Sequence, residues 1–142
     1  IASTVKNLGY TPRVALLSFS NFGNPIRPSS KNIREAVNIL IEREVDFEFD
    51  GEMTAEVALD HNLIKENYPF CRLSGSANVL IMPGLLSANI SFKLLQSLGG
   101  GSVLGPLMIG GEKPFQIVQM GSSVSDIVNS ASIAAYNAIY SK

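Results

Sequence analysis

The chain has 142 residues, 46% of them hydrophobic and 16% charged, which fits one compact domain with a filled core and excludes extended disorder. The formal net charge of −1 excludes the broad basic surface of a nucleic-acid-binding protein. No apolar run approaches the ~20 residues of a membrane-spanning helix, so we predict a soluble domain with neither a nucleic-acid nor a membrane partner.

Soft metal ligands are scarce in this sequence. One cysteine, Cys71, and one histidine, His61, are too few for a disulfide framework or a structural zinc site, so we predict no bound metal. A reducing, cytoplasmic location fits this cysteine content. The first residue is Ile and no signal-peptide pattern follows it, so we expect a piece of a longer polypeptide.

The first third of the chain predicts two strands and a helix. Residues 14–17 form a short apolar run, typical of a strand buried on both faces. A helix capped by Ser29 or Ser30 follows, because apolar residues then recur at a spacing of three and four. Residues 45–49 alternate between apolar and polar side chains and predict a second strand, which we expect to end at residues 50–52.

The middle of the chain predicts a short helix over residues 54–60 and a mainly irregular connection over residues 61–77. Residues 78–82 are apolar and predict a third buried strand. A helix is expected over residues 87–98, ended by the three glycines of residues 99–101, since glycine accepts the left-handed conformation at a helix C-terminus.

Towards the end, residues 103–109 and 115–118 predict two further strands around a glycine-rich turn, and residues 123–140 predict a final helix. Alternating strands and helices build a mostly parallel sheet covered by helices. We therefore predict a single α/β domain over residues 1–142. In such sheets, ligands bind beyond the carboxyl ends of the strands.

Two polar clusters follow the first two predicted strands. Ser18, Ser20 and Gly23 supply hydroxyl groups and a flexible backbone that suit a phosphate or carboxylate, although the loop taken alone favours an ordinary polar turn that leads to a capped helix. Asp50 and Glu52 flank a glycine. These carboxylates are candidates for orienting a ligand, binding a hard cation or capping the next helix.

Further candidates lie later in the chain. Asn89 and Lys93 are one helical turn apart, a spacing that suits a ligand phosphate or a solvated helix surface. Gln119, Gly121 and Ser122 follow the last predicted strand and are candidate ligand-binding residues.

Asp126 stands three residues after Ser123, the spacing of a capping box with Asp in place of Glu or Gln. A structural role and a catalytic role for this carboxylate are equally well supported by the pattern. His61 and Cys71 have no partners at a motif spacing and are not predicted site residues.

A series of short motifs resembles the phosphate acetyltransferase and butyryltransferase family. It comprises the run from Val14 to Ser20, Asp50-Gly51-Glu52, Gly75 with Ala77-Asn78-Val79, Asn89-Ile90 with Lys93, Gly105-Pro106, Lys113-Pro114 and Asp126-Ile127. The resemblance implies a three-layer α/β/α sandwich, here one lobe of an isocitrate/isopropylmalate dehydrogenase-like fold. It covers nearly the whole chain, but only the later part of the family's domain.

More narrowly, Ser20-Asn21-Phe22-Gly23 and Ser87-Ala88-Asn89-Ile90-Ser91 resemble the version of this domain that is fused to large bacterial NADP-dependent malic enzymes. That resemblance implies NADP and a divalent metal in the parent protein, with neither assigned to a residue here. It also implies acetyl-CoA or acetyl phosphate as the ligand of this domain. The implied partners are the rest of the malic enzyme chain and further copies in a homo-oligomer.

Departures from the family pattern bear on activity. Active transferases are expected to carry a serine–arginine pair where this chain has Gln119 and Met120, and a lysine where it has Phe22. Loss of the guanidinium and the hydroxyl removes a phosphate contact and a proton-transfer partner. Asp126 keeps the position at which the family is thought to orient the thiol. We therefore expect an impaired, acetyl-CoA-sensing domain; the alternatives are an active phosphate acetyltransferase and a structural oligomerisation module.

Overall fold

The computed structural model describes residues 1–99 and 101–140. Apart from the first two residues, these group into two compact units: Thr11–Lys93 is one, and Ser3–Tyr10 together with the described residues from Leu94 onward is the other. A single domain over the whole chain stays a prediction. Within the described ranges, no helix is both long and apolar enough to cross a bilayer.

The elements follow one another as helices and strands in mixed order. The strands are β1 (Arg13–Leu17), β2 (Glu48–Met53) and β3 (Val79–Ile81). The helices are α1 (Ala2–Asn7), α2 (Lys31–Glu42), α3 (Ala55–Leu59), α4 (His61–Asn67), α5 (Leu85–Leu98) and α6 (Val124–Tyr140), and a 3-10 turn at Pro28–Ser30 precedes α2.

A parallel sheet of three strands organises the Thr11–Lys93 unit, in the order β2-β1-β3. All four apolar residues of β1 from Val14 to Leu17 are buried. Since successive side chains of a strand point to opposite faces, β1 is covered on both sides. The predicted α/β class with a parallel sheet is confirmed, as is the doubly buried first strand.

One apolar cluster forms the core that packs against this sheet. Ala15 and Leu17 of β1 pack with Met53 of β2 and with buried residues of the following helices and loops, which are Val57, Ala58, Ile64, Leu73 and Ala77. Burying each of the larger side chains contributes roughly 1.5–3 kcal/mol relative to leaving it in water. α2 contacts β1 and β2 and buries Ile33 and Val37, the face that its apolar periodicity predicted.

The predicted end of the second strand is wrong. β2 begins at Glu48, not at residue 45, and continues through Asp50 and Glu52 to Met53. Parallel pairing with β1 holds the acidic residues in the sheet, with Asp50 opposite Ala15 and Gly51 opposite Leu16. The register then shifts, so that Leu17 pairs with Met53 and Glu52 is the extra residue of a bulge, a feature that re-aims a side chain.

The connection predicted over residues 61–77 is partly wrong, because its first seven residues form α4. Asp60 caps this helix: its side chain accepts hydrogen bonds from the backbone N–H groups of Asn62 and Leu63. By contrast, the predicted hydroxyl cap of α2 is wrong. Ser30 occupies the cap position, but its hydroxyl makes no capping bond and bonds to two other serines instead.

The second unit carries α1 and α6, joined by a hydrogen bond from the Tyr136 hydroxyl to the Asn7 carbonyl oxygen. The strands predicted over residues 103–109 and 115–118 are wrong, since the described residues of these stretches form no strand. The side chain of Gln116 instead pairs with Met108, accepting from its N–H at 3.0 Å and donating to its carbonyl at 3.2 Å. α5 ends at Leu98 as predicted, and Gly100 of the expected glycine stop lies outside the described residues.

Candidate functional site

A tight turn follows β1 and carries the first predicted ligand-binding residues. Asn21 and Asn24 exchange backbone hydrogen bonds of 3.1 and 3.0 Å around Phe22 and Gly23. Both central residues have positive φ, 49° at Phe22 and 87° at Gly23, as in a type I′ turn. Glycine takes this conformation without strain, whereas a bulky Phe does so only where the surroundings hold it. The predicted flexible loop is therefore a fixed turn.

Three serine hydroxyls form a chain from this loop into the interior. Ser20 donates to Glu52 Oε1 at 2.5 Å, and the oxygens of Ser20 and Ser30 lie 2.9 Å apart. A hydroxyl has one proton, so Ser30 must be the donor to Ser20. Ser18 in turn donates to Ser30 at 3.2 Å. In this arrangement the half-buried Ser18 offers a ligand the lone pairs of its oxygen and no free proton.

Glu52 ends this chain as a fully buried carboxylate. Arg34 of α2 donates from Nη1 to both of its oxygens, at 3.1 and 3.2 Å, and the exposed fractions of the two side chains are 32% and 0%. A buried charge is tolerated only when it is paired and hydrogen-bonded, and this one is both. Ser20 and Glu52, both predicted ligand-binding residues, hold the loop to the sheet from beneath.

Asp50 also lies beneath the surface and bonds to backbone groups. Its Oδ1 accepts the N–H of Gly51 at 2.9 Å and its Oδ2 accepts the N–H of Arg72 at 2.8 Å. The neighbouring thiol of Cys71 is half-buried. Burial, assisted by the Asp50 carboxylate, raises the pKa of Cys71 to about 11, which keeps the thiol protonated and unreactive near neutral pH, in line with its exclusion from the predicted site.

Asn89 and Lys93 lie one turn apart on α5, as the sequence predicts, and both are exposed. The Lys93 ammonium lies 5.5 Å from the ring centroid of Phe92. Their proposed role in binding a ligand stays a prediction.

The second unit contains a cavity of about 180 Å³ that gathers the later predicted residues. Gln119, Gly121, Ser122 and Asp126 all line it, although they come from a loop and from the first turn of α6. Gly105 and Pro106, joined by a cis peptide bond, also line it. This volume lies below the roughly 300–1,000 Å³ of typical small-molecule sites, so the cavity suits a small group or one end of a larger ligand.

Asp126 forms a complete capping box at the start of α6. Its Oδ2 accepts from the Ser123 hydroxyl at 2.7 Å and from the Ser123 N–H at 2.9 Å, and its own N–H donates to the Ser123 hydroxyl oxygen at 3.2 Å. The bonds from the Ser123 hydroxyl and N–H hold the pKa of Asp126 below its usual value. The structural role is therefore confirmed, and a catalytic role stays a prediction.

Sequence reasoning missed several residues that now stand beside the predicted ones. Arg34 bonds to the Glu52 carboxylate and Ser30 bonds to Ser20; Arg34 lies 18 positions before its partner, and no local spacing connects them. Gln96 and Ser130 line the cavity around Asp126. Among the residues that the structure describes, no group of three His, Cys, Asp or Glu side chains is arranged to hold a metal ion.

Comparison with known proteins identifies the family of this chain. The family model described as phosphate acetyl/butaryl transferase matches residues 1–135. The crystal structure of a phosphotransacetylase from Streptococcus pyogenes superimposes with a TM-score of 0.88 at 35% sequence identity, over 97% of this chain and 42% of that one.

Two curated relatives of this chain are enzymes with different names, one a malic enzyme and the other a phosphate acetyltransferase. An NADP-dependent malic enzyme of Rhizobium meliloti is 58% identical over 137 residues, which is 96% of this chain and 18% of that enzyme. A phosphate acetyltransferase of Treponema pallidum is 41% identical over 129 residues, covering 89% of this chain and 38% of that enzyme. The chain thus spans less than a fifth of the malic enzyme and less than half of the transferase.

Proposed function

The chain belongs to the phosphate acetyl/butaryl transferase family, and from this premise we propose that it is an acetyl-CoA-sensing domain of an NADP-dependent malic enzyme that has lost most of its transferase activity. Malic enzymes convert malate to pyruvate and CO2. In this proposal the ligand binds here and alters that reaction elsewhere in the protein. The 58% identity to a segment of the Rhizobium meliloti enzyme supports the parent assignment.

One observation carries the proposal: the cavity around Asp126 is present, whereas the groups expected to perform transfer are replaced. Gln119 lines the cavity and Met120 is fully exposed, at the two positions where the family resemblance implies serine and arginine. An amide and a thioether supply neither a positive charge for phosphate nor an ionisable hydroxyl. Binding of the acetyl end therefore remains feasible while acyl transfer slows by orders of magnitude.

The state of Asp126 supports binding over proton transfer. A general base works best when its pKa lies near the operating pH, and Ser123 moves the pKa of this carboxylate in the other direction. The Asp126 carboxylate instead offers its second oxygen to a ligand donor.

Titration calorimetry of acetyl-CoA into the natural full-length protein tests the sensor, with malate-dependent NADPH formation followed at each ligand concentration. Saturable heat that tracks a change in the malate rate supports it. Allostery requires the ligand to bind two states of the enzyme unequally, so heat without a rate change removes the regulatory part. No heat up to millimolar acetyl-CoA removes the proposal altogether.

An active phosphate acetyltransferase is the second candidate, favoured by the 41% identity to the Treponema pallidum enzyme and by the retained Asp126. Its reaction moves the acetyl group from the CoA sulfur to a phosphate oxygen. The phosphate hydroxyl loses its proton in this step, and the departing CoA thiolate gains one. Formation of acetyl phosphate from acetyl-CoA and phosphate by the purified protein, at a rate within tenfold of a phosphotransacetylase assayed in parallel, would establish this candidate and displace the sensor.

A structural oligomerisation module is the third candidate. α5 and α6 have no buried residue among those described, and both carry exposed Leu, Ile and Val side chains that another chain segment could cover. Sedimentation of the full-length protein, with and without acetyl-CoA, measures the homo-oligomer that we propose.

The malic enzyme proposal includes a cytoplasmic location, and NADP and a divalent cation bound by other parts of the protein. We also propose that the fold is one lobe of a dehydrogenase-like architecture.

A further inference from the structure

A second cavity, of about 310 Å³, lies in the Thr11–Lys93 unit between α2 and the end of β2. Its lining includes charged side chains, Arg34 and Arg72 among them, and two aromatic rings. The volume is near the lower limit of roughly 300–1,000 Å³ for small-molecule sites. It is far too small for a whole acyl-CoA.

The acidic groups of this cavity are already satisfied, whereas the basic groups are not. Each oxygen of Asp50 accepts a backbone N–H, and both oxygens of Glu52 accept from Arg34. Arg34 uses a single nitrogen for these bonds. Within the part of the chain that the structure describes, the Arg72 guanidinium makes no hydrogen bond or ion pair and lies 5.8 Å from the ring centroid of Phe49. Two guanidinium groups thus line the cavity with N–H donors to spare, and donors of this kind suit carboxylate or phosphate.

The aromatic residues that line the cavity are Phe22 and Phe70. Their ring centroids lie 5.0 Å apart in an edge-to-face arrangement, and Tyr68 supports both, at 5.1 Å from Phe22 and 6.2 Å from Phe70. Phe22 is held at a φ of 49°, where a bulky residue is unfavourable, and such strain concentrates at binding sites. Phe70 remains 65% exposed although it is a large apolar side chain.

We propose that this cavity binds a small aromatic anion, with its carboxylate or phosphate head between Arg34 and Arg72 and its ring against Phe22 and Phe70. The site shares no lining residue with the cavity around Asp126 and takes a different class of ligand, so the proposal extends beyond acetyl-CoA sensing. Edge-to-face packing of a third ring on the pair of phenylalanines contributes affinity. The guanidinium groups select an anion over a neutral compound of the same shape.

Phenylacetate and phenyl phosphate are suitable probes, titrated by calorimetry into the natural full-length protein. Benzyl alcohol tests the ring without the charge, and inorganic phosphate tests the charge without the ring. We expect at least one aromatic anion to bind with a Kd below about 1 mM and both controls to bind at least tenfold more weakly. The better of the two anions identifies the head group as carboxylate or phosphate.

Paired substitutions locate the binding site. Arg72→Gln and Phe70→Ala are each expected to weaken the aromatic anion at least tenfold. Arg43→Gln and Phe19→Ala are matched controls, since both residues are exposed and neither lines the cavity, and they should leave the affinity within twofold. Equal affinity in Arg72→Gln and the unmodified protein overturns the proposal, as does the absence of saturable binding by both aromatic anions.

Acetyl-CoA separates this proposal from the previous one. The Arg72→Gln variant should retain whatever acetyl-CoA response the unmodified protein has, and acetyl-CoA should not displace phenylacetate. Displacement, or a parallel loss of both ligands, would mean that the aromatic anion uses the acetyl-CoA site and would overturn a separate site. Failure of acetyl-CoA to bind leaves the expected aromatic-anion binding unchanged, so the two failures are distinguishable.

Discussion

Removing either member of the Arg34–Glu52 ion pair should destabilise the protein, but by different amounts, because only Glu52 is completely buried. Glu52 is completely buried, whereas the Arg34 side chain is 32% exposed. Removing the arginine strands a carboxylate in the interior with only the Ser20 hydroxyl as donor. Removing the negative charge instead frees the arginine to turn towards water. The two single substitutions should therefore differ in their effect on stability.

For Arg34→Met we expect a loss of about 3 kcal/mol, at the lower end of the range for breaking a buried pair because water reaches the arginine. For Glu52→Gln we expect about 1–2 kcal/mol, since the amide oxygen still accepts from Ser20, but the amide nitrogen replaces an oxygen that accepts from Arg34 and cannot itself accept. The double variant should lose about 1–2 kcal/mol, at least 2 kcal/mol less than the sum of the single losses.

Hydrogen exchange followed by mass spectrometry on peptides from β1 and β2 measures these losses in the full-length protein. Under conditions in which exchange reports the opening equilibrium, 3 kcal/mol corresponds to about 150-fold faster exchange. The Lys31–Glu35 pair on α2 is the matched control: its atoms lie 3.7 Å apart, with side chains 69% and 59% exposed. Its removal should change exchange by less than threefold, which is below about 0.7 kcal/mol.

Equal losses for Arg34→Met and Glu52→Gln, adding within about 0.5 kcal/mol in the double variant, would refute this reasoning. That result would mean that burial of the carboxylate does not depend on the arginine. A loss as large for the Lys31–Glu35 control as for the buried pair would also refute it, because exposure would then not matter.

Three further predictions concern single sites. In Gly51→Ala the new Cβ would lie 2.6 Å from a β1 carbonyl oxygen, so we expect a loss of about 1–3 kcal/mol in the same exchange assay, against little change for Gly84→Ala, which has no heavy atom within 4 Å. Ser123→Ala should raise the pKa of Asp126 towards its usual value, observable by carboxyl-carbon NMR titration; an unchanged pKa would contradict the capping-box assignment. Cys71, with a pKa of about 11, should react with iodoacetamide at pH 7.5 at least tenfold more slowly than glutathione. Because its pKa in the folded protein lies above the unfolded value, its contribution to the stability of the fold should be lost as the pH rises from 9 to 11.

Much of the fold was predictable because its signals are local. The apolar run of β1 and the spacing of Ile33 and Val37 in α2 depend on neighbours within two turns of chain, and both predictions are confirmed. The capping box of Ser123 and Asp126 is equally local. Even the missed helix α4 carried such a signal in Asp60, whose side chain caps it.

Tertiary structure decided what depends on residues far apart in the chain. Nothing near Glu52 in the sequence indicates that a parallel strand will hold it in the sheet, or that Arg34 will approach it from another element. The stretches around Met108 and Gln116 have the apolar composition of strands, but no strand in the described residues pairs with them.

The difference has a physical origin. A helix satisfies its backbone groups within four residues, so the sequence determines it locally, whereas a strand and a buried charge each require a partner that only the folded chain supplies. The sequence alone therefore determined the α/β class, most helices and the family. Tertiary structure decided that Ser20 and Glu52 lie beneath the loop, that Gln119 and Asp126 share one cavity, and that Arg34 and Arg72 line another.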